Sequence, residues 1–249
     1  MELDTDYSKK RFIHYLNKDE IPKEYKCSSC NSSSLYFKSD FLKTTESKES
    51  IEKHNYHGWC TDEVSLIFSG ILSCKVCNES HAISGIGFLE RDYNEYESND
   101  YIEVLIPKYI NPTLDIFKIP SNTPDKLKEI IKSSFSLAWS DYPAAGNRLR
   151  VALEVIIDNL IPSTNTNDSL GNKINKIPQS NSDIQKVMKA IKWLGNEASH
   201  DAELIECDLA FAFEATEFIL NKLYPDADKA PHILSQAEQI NKNKGSFIK

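Results

Sequence analysis

"SGILSCKVCNESHAISG", residues 69–85, decides how the first half of this chain is read. An apolar, β-branched run enters a Cys-x-x-Cys turn at Cys74 and Cys77, and a second such run leaves it. The pattern is strand, knuckle, strand. Cys27-Ser-Ser-Cys30 repeats the spacing upstream. Two residues between thiolates let one tight turn present both sulfurs to a single ion at about 2.3 Å, and two such turns complete a tetrahedral site. Cys27, Cys30, Cys74 and Cys77 are therefore expected to hold zinc. With all four ligands supplied by protein there is no opening for water or substrate, so the metal is expected to be structural.

The stretch between the pairs, residues 31–73, is longer than a usual zinc-ribbon spacing, so an insertion must loop out. Its polar part, residues 39–56, reads as loop. His57, Cys60 and His81 are possible substitute ligands. "SLYFKS" (34–39), "VSLIFSGILSC" (64–74), "HAISGIGFLE" (81–90) and "YIEVLIPKYI" (101–110) read as strands, and "SKKRFIHYLN" (8–17) as a short leading helix.

From about 124 the period changes to that of helices. "TPDKLKEIIKSSFSLAW" opens with a Thr123 N-cap and Pro124 at N1. "PAAGNRLRVALEVIIDNLI" lines up Leu149, Ala152, Leu153, Ile156 and Leu160, with Arg150 and Glu154 as a flanking pair. A short helix fits 168–176. "SDIQKVMKAIKWL" lines up Ile184, Val187, Met188, Ile191 and Leu194, and "CDLAFAFEATEFILNKLY" lines up Leu209, Phe213, Thr216, Leu220 and Leu223. Trp193 is assigned to the core. Gly195 is placed as the left-handed residue ending its helix. The expected fold is α+β: a β-rich zinc-ribbon-like region over 1–120, an antiparallel helical bundle over 121–224, and a polar tail over 225–249 in which "PHILSQAEQINK" has helical character.

Composition narrows the function classes. The chain has 249 residues and net charge −8, with no broad basic field for nucleic-acid phosphates, so duplex DNA is an unlikely partner. No apolar run of membrane-spanning length occurs, and the acidic N-terminus has no signal-peptide core, so a cytoplasmic location is expected. Phosphate-loop, dinucleotide, serine-hydrolase and zinc-protease motifs are absent from the sequence. Cys207 lies among acids that keep its thiol protonated.

The ordered set Cys-x-x-Cys, "GILSCKVC", "IPKYINPTLDIFKIPSNTPDKL", "RLRVALEVIIDNL", "KWLGNEASHD" and "AFEATEFILNKLY" resembles the family called domain of unknown function 4145, over residues 27–224. That resemblance implies a relation to HEPN helical bundles, a bacterial source and a setting near phage-defence or restriction genes. HEPN ribonucleases carry an arginine, then a polar residue such as asparagine, then a histidine, and cut RNA without metal at a dimer interface. Asn196 and His200 match the asparagine and the histidine, and Gly195 stands where the arginine would be. The missing cation is a group of a kind worth several kcal/mol to a phosphorane-like transition state. Arg148 and Arg150 on the preceding helix, or Lys192 one turn back, are the possible replacements. Seven acids and no base between Glu197 and Glu217 disfavour RNA, while Lys173, Lys176, Lys186, Lys189 and Lys192 make the preceding stretch basic.

The leading expectation is a defence component acting through protein–protein contact. It would be a homodimer with a partner encoded nearby, and its bundle would be non-catalytic or conditionally active. One alternative is a metal-independent ribonuclease using His200 and Asn196 with Arg148 or Arg150. The other is a nucleic-acid sensor using the ribbon.

Overall fold

The structure is a computed structural model that describes residues 15–17, 21–91, 101–162, 168–200 and 204–226. It is α+β. Five antiparallel strands come first: β1 (Leu35–Phe37), β2 (Lys43–Glu46), β3 (Ser65–Cys74), β4 (Ser80–Arg91) and β5 (Tyr101–Asn111). They run in the order β1-β3-β4-β5, with β2 sharing the β1 side of β3. Helix α1 (Lys48–Lys53) follows β2 within the insertion. Residues 39–56, expected as loop, are thus largely ordered. Ser47 caps α1 by accepting from Ser50 N–H, and Ser50 Oγ donates to Glu46 at 2.6 Å.

Burial alternates along β3, placing Leu66, Phe68 and Leu72 on the inner face. The sheet curls strongly, and β4 supplies the freedom to do so. A Cβ on Gly85 would stand 2.1 Å from the Ile106 carbonyl oxygen, and one on Gly87 would stand 2.7 Å from that of Val104. Only glycine lets β5 press this closely on β4, and a register shift falls between Ser84 and Gly85. The curl carries β2 round to β5: Thr44 Oγ1 donates to Glu103 Oε1 at 3.0 Å although β3 and β4 lie between their strands.

The helix expected over 8–17 falls mostly outside the described residues. Its last three residues are not helical, and Leu16 forms an antiparallel bridge to Leu105 with both hydrogen bonds at 2.8 Å.

Residues 112–124 lead from the sheet to the helices. Phe117 in this linker packs edge-on against Phe135 (centroids 5.0 Å apart), which meets Phe213 at 5.6 Å. Trp139 reaches back, donating to Thr113 Oγ1 at 3.3 Å and stacking edge-on with Tyr25. One hydrophobic cluster therefore runs from the inner sheet face into the helices.

The helices are α2 (Asp125–Leu137), α3 (Tyr142–Leu160), α4 (Leu170–Asn175), α5 (Ser182–His200) and α6 (Glu206–Leu223). The expected stripes form the core. Leu149, Ala152, Leu153 and Ile156 of α3, Ile184, Met188 and Ile191 of α5, and Leu209, Phe213, Thr216 and Leu220 of α6 are buried. Leu160, Val187, Leu194 and Leu223 pack on its margin. Asp141 caps α3 by accepting from Ala144 N–H at 2.8 Å.

Four local expectations are corrected. Pro124, not Thr123, occupies the N-cap position of α2, and the buried Thr123 hydroxyl has no partner among the described residues. The Arg150–Glu154 pair is not formed among the described residues; Arg150 turns toward α5 instead. Trp193 is 61% exposed, because two residues beyond Ile191 is about 200° round the helix from a buried position. Gly195 does not end α5, which continues through it to His200 in right-handed geometry. The tail beyond residue 226, including the helical stretch expected there, lies outside the described residues. No helix among those described is long and apolar enough to cross a membrane.

Candidate functional site

The two knuckles are built alike. Cys27 accepts from Asn31 N–H at 2.8 Å, and Cys74 accepts from Asn78 N–H at 3.0 Å. The asparagines have φ of 57° and 63°, a left-handed geometry this side chain tolerates. The sequence signal is an Asn directly after each Cys-x-x-Cys, which spacing alone does not use.

Pairing of β1 with β3 sets Leu35 opposite Cys74, and Lys75 N–H donates to Ser34 O at 2.9 Å, which brings the turns together. Ser29 Oγ then bridges to Glu79 Oε2 at 2.6 Å. The four sulfurs lie within 4.8 Å of one another, with Cys27–Cys77 and Cys30–Cys74 both at 3.5 Å. Tetrahedral ligation at about 2.3 Å separates sulfurs by roughly 3.8 Å, so the arrangement is compatible with a metal site. Cys27 and Cys74 are buried, and Cys30 and Cys77 reach the surface.

The thiols share their protons unequally. Burial opposes ionisation of Cys74, but the N–H groups of Cys77 and Val76, with S–H donation from Cys30 and Cys77, outweigh it and bring this thiol down to about 7. For Cys30, the Ser32 N–H favours the thiolate, yet burial and the other three cysteines push it up to about 12. Burial also raises Cys27. A divalent cation bound among the four sulfurs would favour the thiolate form of each.

His57 and Cys60 do not join this group, nor does His81. His81 is buried on β4 and donates from Nδ1 to Pro112 O at 2.7 Å, leaving Nε2 buried without a partner among the described residues. Near it lies Asp115, whose Oδ1 is likewise buried and unpartnered. Burial pushes this carboxyl up to about 6, against the pull of Lys132 and His81. In the sequence His81 stands out only as a possible substitute ligand and Asp115 carries no signal, because what brings them together is tertiary.

At the helical end, the two candidate arginines diverge. Two positions apart on α3 puts them about 200° round from each other. Arg148 Nε donates to Ser133 Oγ of α2 at 3.1 Å. Arg150 lies against α5, where a Cβ on Gly195 would be 3.4 Å from Arg150 Cβ and 3.5 Å from its Cδ. Arg150 Nε is buried and has no hydrogen-bond partner among the described residues. The side chains of Asn196 and His200 lie outside the described residues; helix geometry sets the His200 backbone about 7.5 Å beyond Gly195 along the axis. Lys192 stands over the exposed Trp193 ring, 3.9 Å from its centroid.

The basic stretch is partly neutralised. Lys173 pairs with Asp158 at 2.9 Å, Lys176 pairs with Asp168, and Lys222 of α6 pairs with Asp183 at the start of α5.

Residues 132–243 match the family described as Domain of unknown function (DUF4145). The match covers four of the five core helices entirely or nearly so, beginning inside α2. Residues 14–110, the whole sheet and its cysteine cluster, match a separate family, Domain of unknown function (DUF8608). Neither the curated proteins nor the solved structures contain a match to this chain. The DUF4145 match thus begins beyond the sheet, and the cysteine-bearing sheet matches a different family model.

Proposed function

We propose that this chain is a component of a bacterial anti-phage defence system, working in the cytoplasm through protein–protein contact. It acts as a homodimer and with a partner encoded nearby. The cysteine cluster holds a structural zinc in a ribbon-like head, and the helices form a HEPN-like bundle that is non-catalytic or conditionally active. The observation that carries this reading is apolar surface left open on α5 and α6. Phe211 and Phe218, two turns apart on one stripe of α6, are both exposed beside a groove of about 240 Å³ with Val187 and Ala215. Trp193, also exposed on α5, lies about 120° round the helix from Val187 and outside this groove. Large apolar side chains grouped on a surface mark interfaces. Light scattering on the size-fractionated full chain tests it. Phe211→Glu with Phe218→Glu should convert a dimer to a monomer, and a wild-type chain that is monomeric at tens of micromolar would remove the homodimer from the proposal.

One observation favours a second reading, a metal-independent ribonuclease. Arg150 packs on Gly195, the position where HEPN enzymes carry their arginine, while Arg148 is held by Ser133. Cleavage of single-stranded RNA that disappears in both His200→Ala and Arg150→Ala would establish it. Equal cleavage by the two variants and wild type would dismiss it.

A further inference from the structure

The exposed indole of Trp193 stands outside the α5/α6 groove and among lysines. Lys186, Lys189 and Trp193 fall within about 60° of one another round α5, on the opposite side of the helix from the buried Ile184, Met188 and Ile191. Lys192 joins them at the ring, its Nζ 3.9 Å from the indole centroid. Gly171 of α4 lies close by: a Cβ there would stand 3.5 Å from that Nζ and 3.6 Å from Cε. The half-buried Lys192 side chain thus rests against both α4 and the indole, covering one face of the ring and leaving the rest of it to solvent. Lys173, Lys176 and Lys222 each have a carboxylate partner, whereas Lys186, Lys189 and Lys192 have none among the described residues.

Three unpaired ammonium groups around one open aromatic face are complementary to a ligand that carries repeated negative charge beside flat rings. We propose that this face of α5 binds single-stranded nucleic acid, with a base stacked on the Trp193 indole and the adjoining phosphates on Lys186, Lys189 and Lys192. An acidic peptide has the charge without the flat ring to stack. A lipid surface would need apolar neighbours round the indole, and its neighbours on this stripe are lysines. A duplex keeps its bases stacked on each other and asks for a broad positive field, whereas the stripe from Lys186 to Trp193 is only about 10 Å long. Acids begin at Glu197, one turn beyond Trp193, and limit the contact to a few nucleotides. Stacking on an aromatic side chain within a basic surface is tolerant of sequence, so the site reads the strand and not its letters. The stripe is separate from the cysteine cluster and from the Phe211–Phe218 groove, and the inference does not rest on the function proposed above.

Fluorescence anisotropy tests it, with the full chain titrated into labelled ten-nucleotide oligo(dT) and oligo(U) at low salt. At least one strand should bind with a Kd below about 0.2 mM. Binding of both means that base and phosphate suffice; binding of one alone identifies that strand as the ligand. Trp193→Ala should weaken binding at least about fivefold, and Trp193→Phe should keep most of it. Affinity should fall with salt at a log–log slope of about −2, from three lysines at about 0.7 each, and Lys189→Gln should take about 0.7 off that slope. Trp193 and Lys189 are exposed, so these variants should fold, which circular dichroism checks. Failure of both strands to bind at about 0.2 mM protein, unchanged affinity in Trp193→Ala, or equally tight binding of polyglutamate would overturn the assignment. Binding of phosphatidylserine vesicles through Trp193, with neither strand bound, would overturn it as well.

Discussion

Gly195 of α5 lies against the side-chain stem of Arg150 of α3, with room at 3.4 Å for one more carbon. The contact leaves space for alanine at this position and for nothing much larger. Helical backbone does not require glycine, and glycine there is less favourable than alanine by roughly 0.5–1 kcal/mol. Gly195→Ala should therefore be neutral or stabilise the chain by up to about 1 kcal/mol. Gly195→Leu, which must displace Arg150, should destabilise it. Urea unfolding of the three proteins would show this order, and a large loss from alanine would mean that the helices pack more tightly than 3.4 Å allows.

Arg150 has an apolar stem in contact and an Nε buried without a partner among the described residues. Burying an unsatisfied N–H costs on the order of 1–3 kcal/mol. Arg150→Met keeps the stem and deletes the polar atom, so its stability should equal or exceed that of wild type. Arg150→Ala loses the packing and should be less stable by roughly 1–2 kcal/mol. If methionine destabilises as much as alanine, the guanidinium is held by a partner and the cation has a structural or chemical task.

The sequence made some of this legible and concealed the rest for physical reasons. The Cys-x-x-Cys turns and the helical stripes are local patterns, set by neighbours three or four residues away, and they survive intact in the fold. The curl is not local. "SGIGF" reads as a strand weakened by glycine, and its meaning appears only when the carbonyls of Ile106 and Val104 occupy the space a Cβ would need. Trp193 reads as a core residue in sequence, whereas its angular position on α5 leaves it exposed. Arg148 and Arg150 look equivalent in sequence, yet their opposite faces send one to Ser133 and the other to Gly195.

Loss of a cluster cysteine should be felt well beyond its own turn. Cys27 and Cys74 belong to the same hydrophobic cluster as Phe68, Leu105 and the helical core. Cys74→Ser should abolish binding of one equivalent of zinc and destabilise the chain by several kcal/mol, in line with the large folding contribution of structural zinc. Cys60→Ser, exposed and outside the cluster, should change neither. Metal content by mass spectrometry and thermal unfolding before and after chelation check both. Retention of a full equivalent of zinc by Cys74→Ser would shift the ligand set.

Asp115 gives the stability a pH dependence whose sign can be worked out. Burial raises its carboxyl from 3.8 to about 6, against Lys132 and His81, so between these values the folded chain holds the proton more tightly than the unfolded chain. Its contribution is therefore fully present below about pH 4 and is lost as the pH rises through 6. The full shift would correspond to about 3 kcal/mol, and solvent still in contact with the carboxyl reduces that. Asp226, held at about 2 by Lys118 and the Ser121 N–H, acts in the opposite direction at lower pH, so the comparison must be between wild type and Asp115→Asn. The variant should gain stability over wild type as the pH rises from 4 to 7, with a constant difference above. Denaturant unfolding at one-unit pH intervals measures it. Parallel curves across that window would show that Asp115 ionises freely, and that His81 does not share a dry pocket with it.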